Sequence, residues 1–481
     1  MKLKVFKKAN TEMMTEQEKL NLQIADKYVQ NHGMPKTRRE FLASGLKASA
    51  ATLFMPSIVE MIARSSVAHA AECVATAQKM PAAMVINGAG GFSIAGNFVF
   101  MGQDGDFLPS YSRLGLGAAG AFNVDPSFGA QSGGFADRSQ LLAGVLANAT
   151  PATIANTAVL GIAVASQDDT ANNALNPSGM LAEVTKGDFL PALGQNRNQP
   201  AIRNNTAPLM VNRFTDVANA VSVQGSLASM TDDQKVKLFG AIGGLSATQG
   251  RNLASLSGGQ ALSQLTNIAT DTNINLVSGG DGNVSINPLD SNEFATVWNL
   301  NNANDLNSGN GGNASAVYNA LKGNASMAMM NIGGCDYHGN GRANQDNKDN
   351  EIGVMVGRML ESARVLQRPT MIMITTDGSV ASQDSLVPGA DFTADSGERS
   401  GIITFFYHPE QKPVQKARQL GHFNNGQGAA RDTVVGGSPE RGVAAAIVNY
   451  LAFAGRHDLI KSVTQSTFAE SELSEITVIN S

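Results

Sequence analysis

The chain has 481 residues with a formal net charge of −5, of which 42% are hydrophobic and 16% charged. No apolar run reaches membrane-spanning length and the basic residues are scattered, which argues against a transmembrane anchor and against nucleic acid as a partner. The expectation is a soluble, weakly acidic protein, long enough for one large α/β domain or for roughly two or three average ones.

Residues 1–70 read as an export address more than as fold. In "KTRREFLASGLKASAATLFMP", Arg38 and Arg39 stand directly ahead of Phe41, Leu42 and a small, moderately apolar stretch, and "AHA" at Ala68–Ala70 is a small-residue cleavage site. That order is the pattern of a bacterial twin-arginine signal. It predicts a periplasmic or secreted protein, with the twin-arginine translocase as partner during export and residues 71–481 as a single mature domain. An oxidising compartment permits a disulfide between Cys73 and Cys335, and two free thiols are the alternative.

Along the mature chain, five short apolar runs each lead into a polar or glycine-rich turn. They are "AAMVI" ending at Ile86, "AVLGIAVA" at Ala165, "SMAMMNI" at Ile332, "TMIMIT" at Thr375 and "GIITFFY" at Tyr407. Continuous apolar runs of this length suit central strands of a sheet covered on both faces. Between two of them, "NEIGVMVGRMLESARVLQRP" repeats Ile352, Met355, Met359, Ala363 and Leu366 at helical spacing before Pro369. "SPERGVAAAIVNYLAFAG" predicts a second covering helix with Ser438 as cap, Pro439 at its first position and Gly455 as terminator. Strand, helix, strand predicts an α/β fold with a mainly parallel, doubly wound sheet. The segment from about Thr215 to Leu265 is helical in character, with Thr231 capping "MTDDQKVKLFGAI", and reads as a helical cap. Residues about 167–206 and about 270–325, rich in Asn, Gly, Ser and Asp, read as surface insertions.

In an open parallel sheet, ligands bind beyond the carboxyl ends of the strands. After the five runs come "NGAGGFSIAGN", "SQDD" with Asp168 and Asp169, "GGCDYHG", "TDGS" with Asp377, and His408. Asp336 and His338, at i and i+2 of an extended segment, can reach one ion, and Asp377 is the natural third ligand. One hard oxygen beside one borderline nitrogen suits a divalent zinc, manganese or iron ion more than calcium. The same Asp-x-His between glycines is also the pattern of a tight turn, and Asp377 equally reads as a helix cap. His408 is a further ligand or general acid, or else a satisfied histidine at a strand end. His422 sits in a glycine-rich loop, Asp168 and Asp169 read as solvated, and His457 follows the last helix as a terminal cation. Ser93 has a hydroxyl near the first strand end but no visible base. "NGAGGFSIAG" lacks both the dinucleotide glycine order and a Walker lysine.

The signal, the "NGAGG" loop after the first strand, and "GGCDYHGN" followed by a helix and "TMIMITTDG" together resemble the exported bacterial family called domain of unknown function 1501. That family is similar in fold to alkaline phosphatases and sulfatases. Its Gly-Gly-aromatic-Asp-Thr-His motif is matched by Gly333, Gly334, Cys335, Asp336, Tyr337 and His338. The chain departs from the family at three places. There is no carboxylate near Gly90 and Gly91; Thr376, Asp377, Gly378 and Ser379 replace Glu-Phe-Gly-Arg; and Asp395, Ser396 and Gly397 stand where the family has Asp-His-Gly. The resemblance implies an alkaline phosphatase/sulfatase-like three-layer sandwich with a divergent metal site. It also implies a metal-dependent hydrolase in which activated water attacks a small anionic ester. The alternative is a catalytically inactive binding or assembly protein of the cell envelope that keeps the fold.

Overall fold

A computed structural model of the chain describes residues 80–481 except 115, 119, 130–132, 167–173, 196–206, 222–230, 232, 235, 239, 242–284, 338–341, 383–391, 396, 427 and 466. The chain divides into two compact units, Met1–Ala77 with Gly240–Ile268 and Gln78–Phe239 with Ala269–Ser481. The second unit carries all the architecture below; the export signal and Cys73 lie outside the described residues.

Eight strands form the main sheet: β1 (Ala82–Gly88), β2 (Thr157–Ala163), β3 (Leu193–Gly194), β4 (Leu209–Met210), β5 (Ala328–Ile332), β6 (Thr370–Thr376), β7 (Gly401–Tyr407) and β8 (Gln419–Leu420), in spatial order β8-β2-β7-β6-β1-β5-β3-β4. All pairings are parallel except those of β7, which runs antiparallel to β2 and β6. The five apolar runs are the five long strands, and in β1, β2, β6 and β7 every residue is buried. Burial on both faces is why these strands show no polar alternation.

The helices that pack on the sheet are α1 (Gln140–Asn148), α2 (Ser178–Val184), α3 (Gly309–Lys322), α4 (Arg342–Val365) and α5 (Pro439–Phe453), and further short helices, among them Phe214–Val221 and Glu470–Ile476, lie between and after them. Successive β1 residues feed two cores, as the pleat requires. Met84 and Ile86 pack with Leu141, Val145, Val317, Ile352, Val356 and Met359 of α1, α3 and α4. Ala83 and Val85 pack with Met180, Leu181, Val443, Ile447 and Leu451 of α2 and α5. Helices therefore cover both faces of a mainly parallel sheet. Among the described residues no helix is long and apolar enough to cross a membrane.

Ser438 accepts the Arg441 amide at 3.3 Å at the start of α5, and Gly455 follows its end with φ +69°. The helix expected from Asn350 onward begins earlier, at Arg342. Thr231 and Gln234 bond reciprocally, the amide of each to the other's side chain, at 2.9 and 3.3 Å.

The two stretches read as surface insertions need correction where they are described. β3, α2 and α3 lie within them and are buried, α3 against the β1 face. Small residues make this fit: a Cβ on Gly312 would stand 2.5 Å from the Asn212 carbonyl carbon, so the backbones touch directly. The buried asparagines are bonded, Asn319 Nδ2 donating to Ser315 O at 2.8 Å and to Ile286 O at 3.0 Å. α1 and α4 meet in the same way, since a Cβ on Gly353 would lie 2.1 Å from Leu141 O.

Candidate functional site

The carboxyl edge of the sheet gathers the segments after β1, β2, β5 and β6, together with the one that precedes β7. Its centre is Gly90. The Cys335 amide donates to Ala89 O at 3.1 Å, continuing the β1–β5 ladder past the strand ends. Gly90 and Gly91 both have positive φ, +100° and +103°, which turns their successive N–H groups toward one point. Asp377 occupies that point: Oδ1 accepts both amides at 3.0 Å, and Oδ2 lies 3.3 Å from Gly90 N. Asp377 is buried. Ser166 Oγ donates to its carbonyl at 2.5 Å, and the Ser166 amide donates to Gly397 O at 2.9 Å, drawing in the segment before β7.

Asp336 approaches the same glycine from the β5 side. A Cβ on Gly90 would stand 3.0 Å from the Asp336 amide and 3.3 Å from its Cβ, so only glycine admits the two chains here. Asp336 is exposed, while its neighbours Cys335 and Tyr337 are buried. The structure thus brings Asp336 and Asp377 to opposite sides of one residue. His338, Asp168 and Asp169 lie outside the described residues.

His408 is not part of this edge. Because β7 is antiparallel, Tyr407 pairs with Thr370 and Thr157, the first residues of β6 and β2. Seven residues of β6 at about 3.3 Å each put roughly 20 Å between His408 and Asp377. There the His408 amide donates to Asn156 O at 3.3 Å and Nδ1 accepts the Glu410 amide at 3.2 Å, a satisfied strand-end histidine. Expecting His408 as a ligand or acid beside Asp377 is corrected by strand direction, which an apolar run does not encode. His422 lines a separate cleft of about 430 Å³ beyond β8, with Asp432 and Glu475 on its wall.

A polar cluster that the sequence pattern does not reveal lies behind Asp336. Asp349 of α4 is fully buried and accepts three hydrogen bonds: from Asn97 Nδ2 at 2.6 Å, Gln345 Nε2 at 2.9 Å and the Tyr337 hydroxyl at 3.1 Å. Burial pushes its carboxyl up to about 7, against the pull of Asn97, Arg342, Gln345 and Tyr337. Asn97 is fixed in turn, its Oδ1 accepting the Ser139 hydroxyl at 2.6 Å and its Nδ2 also donating to Ser93 O at 2.9 Å. Burial pushes the free Cys335 thiol up to about 12, and the Tyr337 phenol upward as well. The only local signal is that Asn97 sits among small and apolar neighbours in the chain, whereas Asp349 lies in "NQDNKDN", which has the composition of a solvated helix start.

Among the described residues the donor set for a resident divalent ion is incomplete, and His338 lies outside them. Asp377 spends its carboxylate on two amides, His408 is at the far edge, and among the described residues no three His, Cys, Asp or Glu side chains are grouped to hold a metal. The edge as described closes a loop and presents one exposed carboxylate, Asp336. No protein-family model, no curated protein and no solved structure matches the chain.

Proposed function

We propose that the chain is an exported, alkaline phosphatase/sulfatase-like protein, similar to the domain of unknown function 1501 family, that serves as a catalytically inactive binding or assembly protein of the cell envelope. The observation that carries this reading is the commitment of the Asp377 carboxylate to the Gly90 and Gly91 amides, a structural duty that replaces the one expected of a ligand. The twin-arginine pair supports export. Elemental analysis of the folded, signal-free protein beside an Asp336→Ala/His338→Ala variant tests the reading. Absence of stoichiometric metal from both, with no turnover on a panel of phosphate and sulfate esters, is the expected result; a transition metal in the wild type alone overturns it.

A second reading, a metal-dependent hydrolase of a small anionic ester, is favoured by the approach of Asp336 and Asp377 to one glycine from the two strands that flank β1. In that reading Asp336, His338 and Asp377 hold a zinc, manganese or iron ion. The same elemental analysis decides between them.

A further inference from the structure

We propose that Lys412 and Arg418 form a binding site for a tetrahedral oxyanion, a phosphate or sulfate, at the lateral edge of the sheet. Both cations donate to one backbone oxygen, Phe128 O: Lys412 Nζ at 3.0 Å and Arg418 Nη2 in a shorter bond. Their charged heads are therefore neighbours. Arg418 directly precedes β8, the outermost strand, and its own carbonyl accepts the Gly161 amide of β2 at 2.8 Å, which fixes where its side chain starts. Phe128 is equally fixed, its buried ring packed against Phe135 and Phe405 with centroids 5.9 and 5.8 Å away.

What marks the pair as a site is the missing counter-charge. Arg418 is only 6% exposed, and a buried guanidinium is ordinarily matched by a carboxylate. Among the described residues neither Lys412 nor Arg418 has one within ion-pair distance, and Asp125, the acid of the Phe128 turn, gives its Oδ1 to the Ser127 amide at 2.8 Å. Partial burial, and then the Arg418 charge beside it, hold the Lys412 ammonium below its usual value. Burial lowers Arg418 in the same way, with no acid to offset it. One carbonyl dipole is left to serve two full positive charges.

Donor geometry selects the ligand. Arg418 Nη2 gives one hydrogen to Phe128 O, while Nε and Nη1 make no hydrogen bond and are not among the enclosed unpartnered nitrogens of the molecule, so they reach the surface. Whichever Nη2 hydrogen Phe128 O takes, the other stays paired with the Nε hydrogen or with one on Nη1, and a two-pronged edge of the guanidinium remains free. Glycine backbone makes room beside it: a Cβ on Gly134 would stand 3.3 Å from Nη1, and one on Gly129 would collide with Nη2. A fork together with an ammonium arriving from another side serves divergent oxygens and a double negative charge, which describes phosphate or sulfate. A planar carboxylate would fill the fork and leave one positive charge unmatched. The inference does not depend on whether the carboxyl edge binds a metal.

Calorimetric titration of the full-length protein with sodium phosphate, and separately with sodium sulfate, tests it at an ionic strength held constant with sodium chloride. Wild type should take up a single oxyanion per chain. Lys412→Gln, a change at an exposed residue, should weaken uptake by about tenfold or more, the loss of a charge-assisted hydrogen bond, and Arg418→Met should abolish it. Glycerol 3-phosphate separates the sources: affinity no better than that of inorganic phosphate assigns the free ion, and tighter binding assigns a phosphate ester. No saturable uptake by wild type, or equal affinity in Lys412→Gln, overturns the site and leaves the two cations as a clamp on the Phe128 turn. Uptake that survives Lys412→Gln but is lost in Asp336→Ala/His338→Ala belongs to the carboxyl edge and overturns it as well. Should Arg418→Met fail to fold, Lys412→Gln decides alone.

Discussion

The Asp377 carboxylate and the Gly91 amide, 286 positions apart in sequence, meet at 3.0 Å and pin the turn after the central strand to the end of its neighbour. Asp377→Ala leaves the buried Gly91 and half-buried Gly90 amides without an acceptor, and about 1–3 kcal/mol for each such group predicts a loss of roughly 2–6 kcal/mol. Asp377→Asn, which keeps one acceptor oxygen, should lose less. Denaturant unfolding followed through Trp298, the single tryptophan, measures both: it is fully buried, with Nε1 donating to Ser362 Oγ at 2.9 Å.

The α1–α4 contact predicts the effect of one added methyl. Gly353→Ala would place Cβ 2.1 Å from Leu141 O, which neither backbone can yield without parting the helices. The expected cost is about 3 kcal/mol or more, at the upper end of overpacking effects. Ala363→Gly, farther along α4 and outside the crossing, should cost only the helix-propensity difference of about 1 kcal/mol plus a small packing loss. Equal destabilisation by the two would show that the crossing is not the tight point.

Stability should depend on pH with an unusual sign through Asp349. Its folded value, about 7, lies above the value of about 4 for an exposed aspartate, so the folded protein holds this proton more tightly than the unfolded chain does. The contribution is fully present below about pH 4, declines as pH rises toward 7, and is constant above that. Glu361, held low by the Thr150 amide, the Thr153 hydroxyl and Arg364 against its own burial, works in the opposite direction in acid. The difference in melting temperature between wild type and Asp349→Asn isolates the effect: the wild type should lose ground steadily from about pH 4.5 to about pH 7. A constant difference across that range would contradict it.

Cys335 should be chemically silent in the folded protein. Burial holds its thiol up at about 12, so at pH 8 only about one molecule in ten thousand carries the reactive thiolate. Alkylation followed by peptide mapping should find Cys335 unmodified under native conditions and fully modified in denaturant.

His408→Ala should leave any ligand binding at Asp336 unaltered, because roughly 20 Å of sheet separates them. Its expected cost is within about 1 kcal/mol, from a half-buried side chain whose Nδ1 caps the Glu410 amide and whose ring meets the Phe453 ring edge-on at 6.3 Å. Binding that falls in parallel with His408→Ala would relocate the site to the opposite edge.

The long strands could be read directly, since an unbroken apolar run as short as "TMIMIT" fits few places besides the middle of a sheet covered on both faces. Cap chemistry was equally legible at Ser438, where Pro439 follows and Gly455 closes the helix. Strand direction was not: "GIITFFY" reads the same whether parallel or antiparallel, and that ambiguity alone moved His408 to the wrong edge. Composition misled at α3 and around Asp349 for a common reason. Asparagine, glycine and aspartate look solvated until each polar atom is seen to have a partner inside, as Asn319, Asn97 and Asp349 do. Asp336 and Asp377 were placed at strand ends from sequence, but that Asp377 serves the Gly90–Gly91 turn depends on a pairing between β1 and β6 that no local pattern records.

The position of β1 at the middle of the sheet also constrains how the molecule is made. Its partners are β5 and β6, with Met84 beside Ala328 and Ala82 beside Thr370. An emerging chain therefore carries an unpaired apolar strand until its neighbours, hundreds of residues later, leave the ribosome, and closing so long a loop is slow. Vectorial synthesis offers this domain no stable N-terminal half. A nascent chain stalled before Thr370 should remain protease-sensitive and dependent on holdase chaperones, and folding should wait for release of the full-length product.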